Sequence, residues 1–147
     1  MEKMRKIRKF CIILVFIIIG TEVYSQIGIT YYTSNILAVN TSKNNKISGE
    51  LKVFANSDIE NTAMEMDAYY NFKSYEYHRF SIGTGFRLEV FSGEDAAITV
   101  PFKLEVFPFQ KFKRVLFLFE LAPEIYFDDS VKLRSLLGLR YSFEKKN

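Results

Sequence analysis

Val131 to Phe143 reads VKLRSLLGLRYSF. Every second residue is Leu133, Ser135, Leu137, Leu139, Tyr141 and Phe143, and the residues between them are Arg134, Leu136, Gly138, Arg140 and Ser142. The first set is apolar and ends in two aromatics. The second carries two arginines, a glycine and a serine. A strand turns successive side chains to opposite faces, so this stretch is a strand between two different environments. A soluble sheet would show the same alternation. Two features of the rest of the chain tilt the reading to a membrane: an export signal precedes this strand, and several earlier strands share its rhythm.

Those strands run back toward the N-terminus. Val115 to Phe127 sets Val115, Phe117, Phe119, Leu121 and Ile125 against Glu120, Ala122 and Glu124. Ala97 to Phe107 sets Ile98, Val100, Phe102, Leu104 and Val106 against Thr99, Pro101, Lys103 and Glu105. Arg79 to Phe91 sets Phe80, Ile82, Thr84, Phe86, Leu88 and Val90 against Ser81, Gly83, Gly85, Arg87 and Glu89. Thr62 to Phe72 and Ile47 to Ala55 alternate likewise, with Glu65, Asp67, Glu50 and Lys52 on their polar faces. Ile27 to Thr33 and Ile36 to Thr41 are expected to be two short strands around a tight turn, with one long bent strand as the competing reading. Short alternating runs between polar turns are the pattern of a membrane barrel, and single-chain bacterial barrels have even strand numbers. Eight strands are therefore expected. Pro101 and Pro123 fall inside strands of a barrel that has no free edge, so a bulge is expected at one or both.

Gly138, Tyr141 and Phe143, a glycine followed by two aromatics one residue apart, resemble the C-terminal assembly signal of Gram-negative outer-membrane β-barrels. Two departures stand out. Leu136 occupies a position that is usually polar, and Glu144 to Asn147 follow the final aromatic. Along residues 27 to 143 the chain is similar to small eight-stranded outer-membrane barrels of the OmpA and OmpX class. The resemblance implies an all-β, antiparallel, up-and-down transmembrane barrel in the outer membrane, inserted by the barrel assembly machinery. It implies contact with outer-membrane lipid and lipopolysaccharide, and a monomer. The competing fold is a periplasmic β-sandwich or lipocalin-like binder with its apolar faces turned inward.

Residues 1–25 read as a signal peptide and 26–147 as the barrel domain. Lys3, Arg5, Lys6, Arg8 and Lys9 form a basic head, and Phe10 to Gly20 an apolar core of eleven residues. That core is well short of the roughly 20 residues of a spanning helix. An uncleaved inner-membrane anchor is the alternative. Cys11 is the chain's one cysteine. Removal of the label takes five of twenty basic residues and two of seventeen acids, leaving fifteen of each. The formal charge of +3 and pI near 8.9 are thus no nucleic-acid signature.

On the barrel reading, Glu50, Lys52, Glu65, Asp67, Arg87, Glu89, Lys103, Glu105, Glu120, Glu124, Arg134 and Arg140 face the lumen. An eight-stranded barrel has an interior just wide enough for side chains to fill. Buried charges are costly unless paired, so a ladder of ion pairs is expected, with neither pore nor active site. Leu137 faces lipid and Leu136 the lumen, so a lysine is expected to be tolerated worse at 137. Lys43, Lys46, Lys73, Lys111 and Lys113 fall in turns on the side of the termini. Asp58, Glu60, Glu94, Asp95, Asp128 and Asp129 fall in the opposite loops. That acidic rim is simply solvated, or else bridged by divalent cations to lipopolysaccharide phosphates. A lipid-modifying enzyme would need a base. The sole histidine, His78, lies in a predicted turn three residues from Ser81, a spacing that does not match the His-x-Ser pair of lipid-modifying barrels. No catalytic, metal or cofactor-binding residue and no nucleic-acid groove is expected, and the assigned role is structural or binding.

Overall fold

Period-two apolar runs of this length pair their backbones edge to edge, and here the edges meet. The computed structural model describes residues 26–41, 46–55, 62–91 and 96–144. Within them lie eight strands: β1 (Gln26–Tyr32), β2 (Ile36–Asn40), β3 (Ile47–Phe54), β4 (Ala63–Asn71), β5 (His78–Glu89), β6 in two halves (Ala96–Thr99 and Phe102–Val106), β7 (Val115–Tyr126) and β8 (Val131–Glu144). Each is antiparallel to the next, and β8 returns to β1 with Tyr32 opposite Gly138 and Gln26 opposite Glu144. The sheet is a closed barrel. Residues 1–25, read from the sequence as a signal peptide, lie outside the described residues.

The boundaries fall within two residues of those expected from periodicity. β1 and β2 are two strands, joined through Thr33, Ser34 and Asn35. Ser34 and Asn35 take φ of 66° and 57°, a left-handed pair that reverses the chain in this short loop. At the β7–β8 turn the backbone N–H and hydroxyl of Ser130 donate to Asp128 Oδ1 at 3.0 and 2.5 Å. These bonds hold the Asp128 carboxyl below the usual carboxylate range.

The expected bulges are absent from β6 and β7. Between Gly85–Thr99 and Ile82–Phe102 both β5 and β6 advance by three residues, and β6 and β7 do the same between Thr99–Glu124 and Phe102–Leu121. No extra residue enters at either proline. Pro101 still accepts from the Gly83 N–H at 2.8 Å, and Pro123 from the Val100 N–H at 3.1 Å. Only the return bond of each pair is lost, because a proline nitrogen has no hydrogen to give. β6 is interrupted there without a change of register.

Alternation decides inside from outside. Leu137 is 58% exposed while its neighbour Leu136 is 3% exposed. The apolar faces point outward all round the wall, and the charged faces point in. A sandwich or lipocalin-like arrangement, with apolar faces inward, is therefore not what the chain forms. Exposed aromatics concentrate toward the end that carries the termini, among them Tyr70, Phe72, Phe80, Phe117, Tyr141 and Phe143. The rings of Tyr141 and Phe143 meet edge to face at 5.0 Å.

Candidate functional site

The inward faces of β3 to β8 bring twelve charged side chains into one connected network along the lumen. At the end away from the termini, Glu124 Oε1 accepts from Arg87 at 2.9 Å and from Arg134 at 2.5 Å. Arg134 also grips Glu65 with both terminal nitrogens, each at 2.6 Å, and reaches Glu120 at 3.3 Å. Its fork suits a carboxylate in that two-point geometry. The rings of the network continue through Lys52, whose Nζ lies 3.0 Å from Glu65, 2.7 Å from Asp67 and 2.6 Å from Glu120. Lys103 follows, 2.7 Å from Glu50 and 3.8 Å from the centre of the Tyr69 ring. Glu50 accepts from Arg140 at 2.5 Å, Arg140 also pairs with Glu105, and Glu105 pairs with Arg79.

Neutral groups complete the shell. The Tyr32 hydroxyl donates to Glu50 at 2.7 Å, the Tyr69 hydroxyl lies 3.1 Å from Glu120 and 3.2 Å from Asp67, and Arg140 Nε donates to Thr30 at 2.7 Å. Such bonds are needed because an ion pair out of water is tolerable only when its remaining donors and acceptors are met. A cavity of about 10 Å³ lies beside Glu50, Arg79 and Arg140. That is room for about one water.

Of the lumen residues read from the sequence, Glu50, Lys52, Glu65, Asp67, Arg87, Lys103, Glu105, Glu120, Glu124, Arg134 and Arg140 are brought together. Glu89 is half-buried near the far rim. Periodicity missed Arg79, which is 4% exposed and joined to Glu105. It sits at the edge of β5 beside a polar turn, where a strand end reads as solvent. With Arg79 included, six acids (Glu50, Glu65, Asp67, Glu105, Glu120, Glu124) face six bases (Lys52, Arg79, Arg87, Lys103, Arg134, Arg140). Also missed was an inner apolar cluster containing Tyr32, Ile36, Phe54, Leu116, Leu118 and Leu136. Leu136, the departure from the usual polar position, is part of it. The guanidinium of Arg87 lies 4.3 Å and that of Arg134 5.2 Å from the centre of the Phe54 ring.

Glycines make space for the inward tyrosines. Gly138 faces Tyr32 across β8 and β1, and a Cβ there would come within 2.6 Å of the Tyr32 ring. Gly83 faces Tyr69 across β5 and β4 in the same way, at 2.8 Å from that ring. Each phenol thus lies over a bare backbone and reaches the charged centre.

His78 opens β5 rather than lying in the turn before it. Its ring stacks on Tyr75 at 5.0 Å and meets Phe80 at 5.9 Å. The Ser81 hydroxyl instead enters the lumen and donates to Asn71 at 2.7 Å. The two side chains belong to opposite faces of one strand. Asp128 and Asp129 are exposed at the far turn, while Asp58, Glu60, Glu94 and Asp95 lie outside the described residues. Among the described residues, no group of His, Cys, Asp and Glu is placed to hold a metal ion.

No family model and no curated protein matches the chain. Among solved structures the chain is similar to the N-terminal β-barrel domain of Pseudomonas aeruginosa OprF, with a TM-score of 0.55 at 10% sequence identity. The match covers 80% of this chain and 94% of that one. With its closed circuit of eight antiparallel strands, the chain has the fold of a small outer-membrane β-barrel.

Proposed function

We propose that the protein resides in the outer membrane as a small barrel with a filled lumen, in a structural or binding role rather than catalysis or bulk transport. The observation that carries this reading is the lumen itself. Twelve paired charges and the apolar cluster around Phe54 and Leu136 leave a cavity of about 10 Å³ beside Glu50, Arg79 and Arg140. A hydrated ion needs a continuous water column, and on this reading the paired charges take its place. The exposed apolar wall suits hydrocarbon, in which a closed barrel pairs its backbone groups strand to strand. On this reading the surroundings are outer-membrane lipid and lipopolysaccharide, the termini are periplasmic, and the barrel is a monomer. Export through the secretory pathway relies on residues 1–25. Gly138, Tyr141 and Phe143 serve the barrel assembly machinery as a recognition signal.

Planar-bilayer recording of the purified barrel tests the reading. The expected trace is flat. Reproducible single-channel steps would overturn the filled-lumen role and make Arg87, Arg134 and the lumen glutamates selectivity residues. Location is tested separately. The protein should stay with the outer membrane until detergent is added, and release by osmotic shock alone would refute the membrane placement.

A further inference from the structure

β8 outreaches the strand beside it. Its pairing with β1 ends at Gly138 opposite Tyr32, and the Thr33 N–H then makes one more bond, to the Leu137 carbonyl at 2.7 Å. From there the chain turns back through Ser34 and Asn35 into β2. β8 runs on from Leu136 to Val131, with β7 still paired along its other side as far as Ile125 opposite Val131. Among the described residues β1 and β7 are the strand neighbours of β8, so the side that β1 has left carries no strand. The bare length is about 20 Å at about 3.3 Å per residue.

Ladder parity identifies the groups on this edge. In an antiparallel pair, alternate residues turn their N–H and C=O to opposite sides. The Ser142 N–H donates to the carbonyl of Arg114, next to β7, at 2.8 Å, so the even-numbered residues of β8 serve that side. Leu137 serves the β1 side, and so do Ser135, Leu133 and Val131. Beyond the end of β1, the N–H and C=O of these three have no ladder partner among the described residues. Side-chain exposure records the same loss. It rises along the outward row from 38% at Tyr141 and 48% at Leu139 to 58% at Leu137 and 68% at Leu133. Lys132, between Val131 and Leu133, is exposed, its ammonium 4.7 Å from the centre of the Tyr126 ring.

We infer that this edge of β8 is a docking site for an extended peptide, which adds to the sheet as an antiparallel strand where β1 stops. Evenly spaced N–H and C=O groups are met by another extended backbone, and an antiparallel one exchanges both bonds with the same residue. The side chains that suit the site are apolar opposite Val131 and Leu133 and acidic opposite Lys132. A second copy of this edge is a poor occupant. A two-fold pair centred on Leu133 sets each copy's Lys132 against the other's Arg134, and like charges directly opposite destabilise a sheet. The inference rests on the binding role proposed above and names its class of partner. Unpaired backbone groups are not tolerated in hydrocarbon, so on the membrane reading the edge stands clear of it, at the end away from the termini.

The test uses the full chain folded in detergent micelles and an acetylated peptide alternating valine and glutamate. A second peptide of the same sequence is N-methylated throughout, which removes its donors. NMR follows exchange of the Leu133 and Ser135 amides with solvent. Both should exchange freely in the protein alone, become protected with the first peptide and stay unprotected with the second. A peptide alternating valine and lysine should bind severalfold more weakly. Leu133→Pro removes an edge donor that β7 does not use, and an edge strand tolerates proline where its N–H faces solvent. That variant should still show heat-modifiable mobility and should no longer bind; if it does not fold, the N-methyl comparison decides. Protection of Leu133 and Ser135 before any peptide is added would mean that the chain covers its own edge, and would overturn the site. Equal protection by the two peptides would overturn it as well. Concentration-dependent dimers with these amides protected would assign the edge to a second copy and overturn the peptide. Each of these failures leaves the filled lumen and the membrane placement standing, since bilayer recording and osmotic shock test those separately.

Discussion

Lys52 shows what holds the lumen together at the scale of one residue. Its ammonium faces Glu65, Asp67 and Glu120 at 3.0 Å or less, fully shielded from solvent. Removing one partner of a buried ion pair leaves charge without compensation and typically costs about 3–5 kcal/mol. Lys52→Met should therefore lower the unfolding free energy by about that amount, read from urea titration of the folded barrel in vesicles. Unchanged stability would mean that water reaches the carboxylates. Gly138 offers a steric counterpart. An added methyl at Gly138→Ala meets the Tyr32 ring, an overpacking that costs about 1–3 kcal/mol. In the double variant with Tyr32→Leu the penalty should be smaller than the sum of the two, because the clash is shared. Strictly additive losses would show that Gly138 serves something other than the ring. Most lumen charges were legible from their parity alone. Arg79 was not, because it borders a turn. Leu116, Leu118 and Leu136 were not, because a strand apolar on both faces hides which face is which.

At the scale of the strand, β8 separates its two surroundings residue by residue. A lysine at a lipid-facing midplane position costs about 2–4 kcal/mol in such barrels. Leu137→Lys should therefore cut the folded fraction seen by heat-modifiable mobility. Leu136→Lys is no longer expected to be benign, since Leu136 packs inside the apolar cluster. The informative lumen substitution is Ser142→Ala, whose buried hydroxyl has no hydrogen-bond partner among the described residues. It should leave the folded yield unchanged, whereas Phe143→Ala should lower the amount of barrel in outer-membrane fractions if that ring is read during assembly. Equal yields from these two would remove Phe143 from the signal. Strand number and pairing order followed from the period-two pattern. Behaviour at Pro101 and Pro123 did not, since a missing donor can be absorbed by a bulge or by one lost bond, and only the ladder distinguishes them. Pro123→Ala restores one donor toward Val100 without altering register, so stability should hold or rise by up to about 1 kcal/mol. A marked loss would mean that the ring itself is needed. At the β7–β8 turn, Ser130→Ala should let the Asp128 carboxyl rise toward its ordinary range. The backbone N–H bond remains, so only the hydroxyl's share of the contribution, present above the unfolded pKa and lost as pH falls through the depressed one, would go. Carbon-13 titration of Asp128 reads this directly.

At the scale of the molecule, closure joins the first strand to the last. Arg140 Nε donates to Thr30 across 110 positions of sequence, and all seven residues of β1 find partners on β8. A chain ending at residue 130 loses both the β1 and β7 ladders to β8, so it should show no heat-modifiable band. A shifted band would mean that seven strands can close by themselves. The barrel class was legible because lipid and lumen impose opposite chemistries on alternate residues. The pairing of the charges was not, because partners such as Lys52 and Glu120 or Arg134 and Glu65 lie 68 and 69 positions apart and only the closed circuit places them together. On the membrane reading proposed above, that separation bears on how the chain enters a bilayer. A lone hairpin of β3 and β4 would carry Glu50, Glu65 and Asp67 with Lys52 as its single counter-ion, an anionic passenger that hydrocarbon rejects. Its remaining counter-ions, Lys103, Arg134 and Arg140, arrive from β6 and β8. Strand-by-strand threading is thereby barred, and the wall must roll shut while it crosses, with neutralisation and insertion as one event.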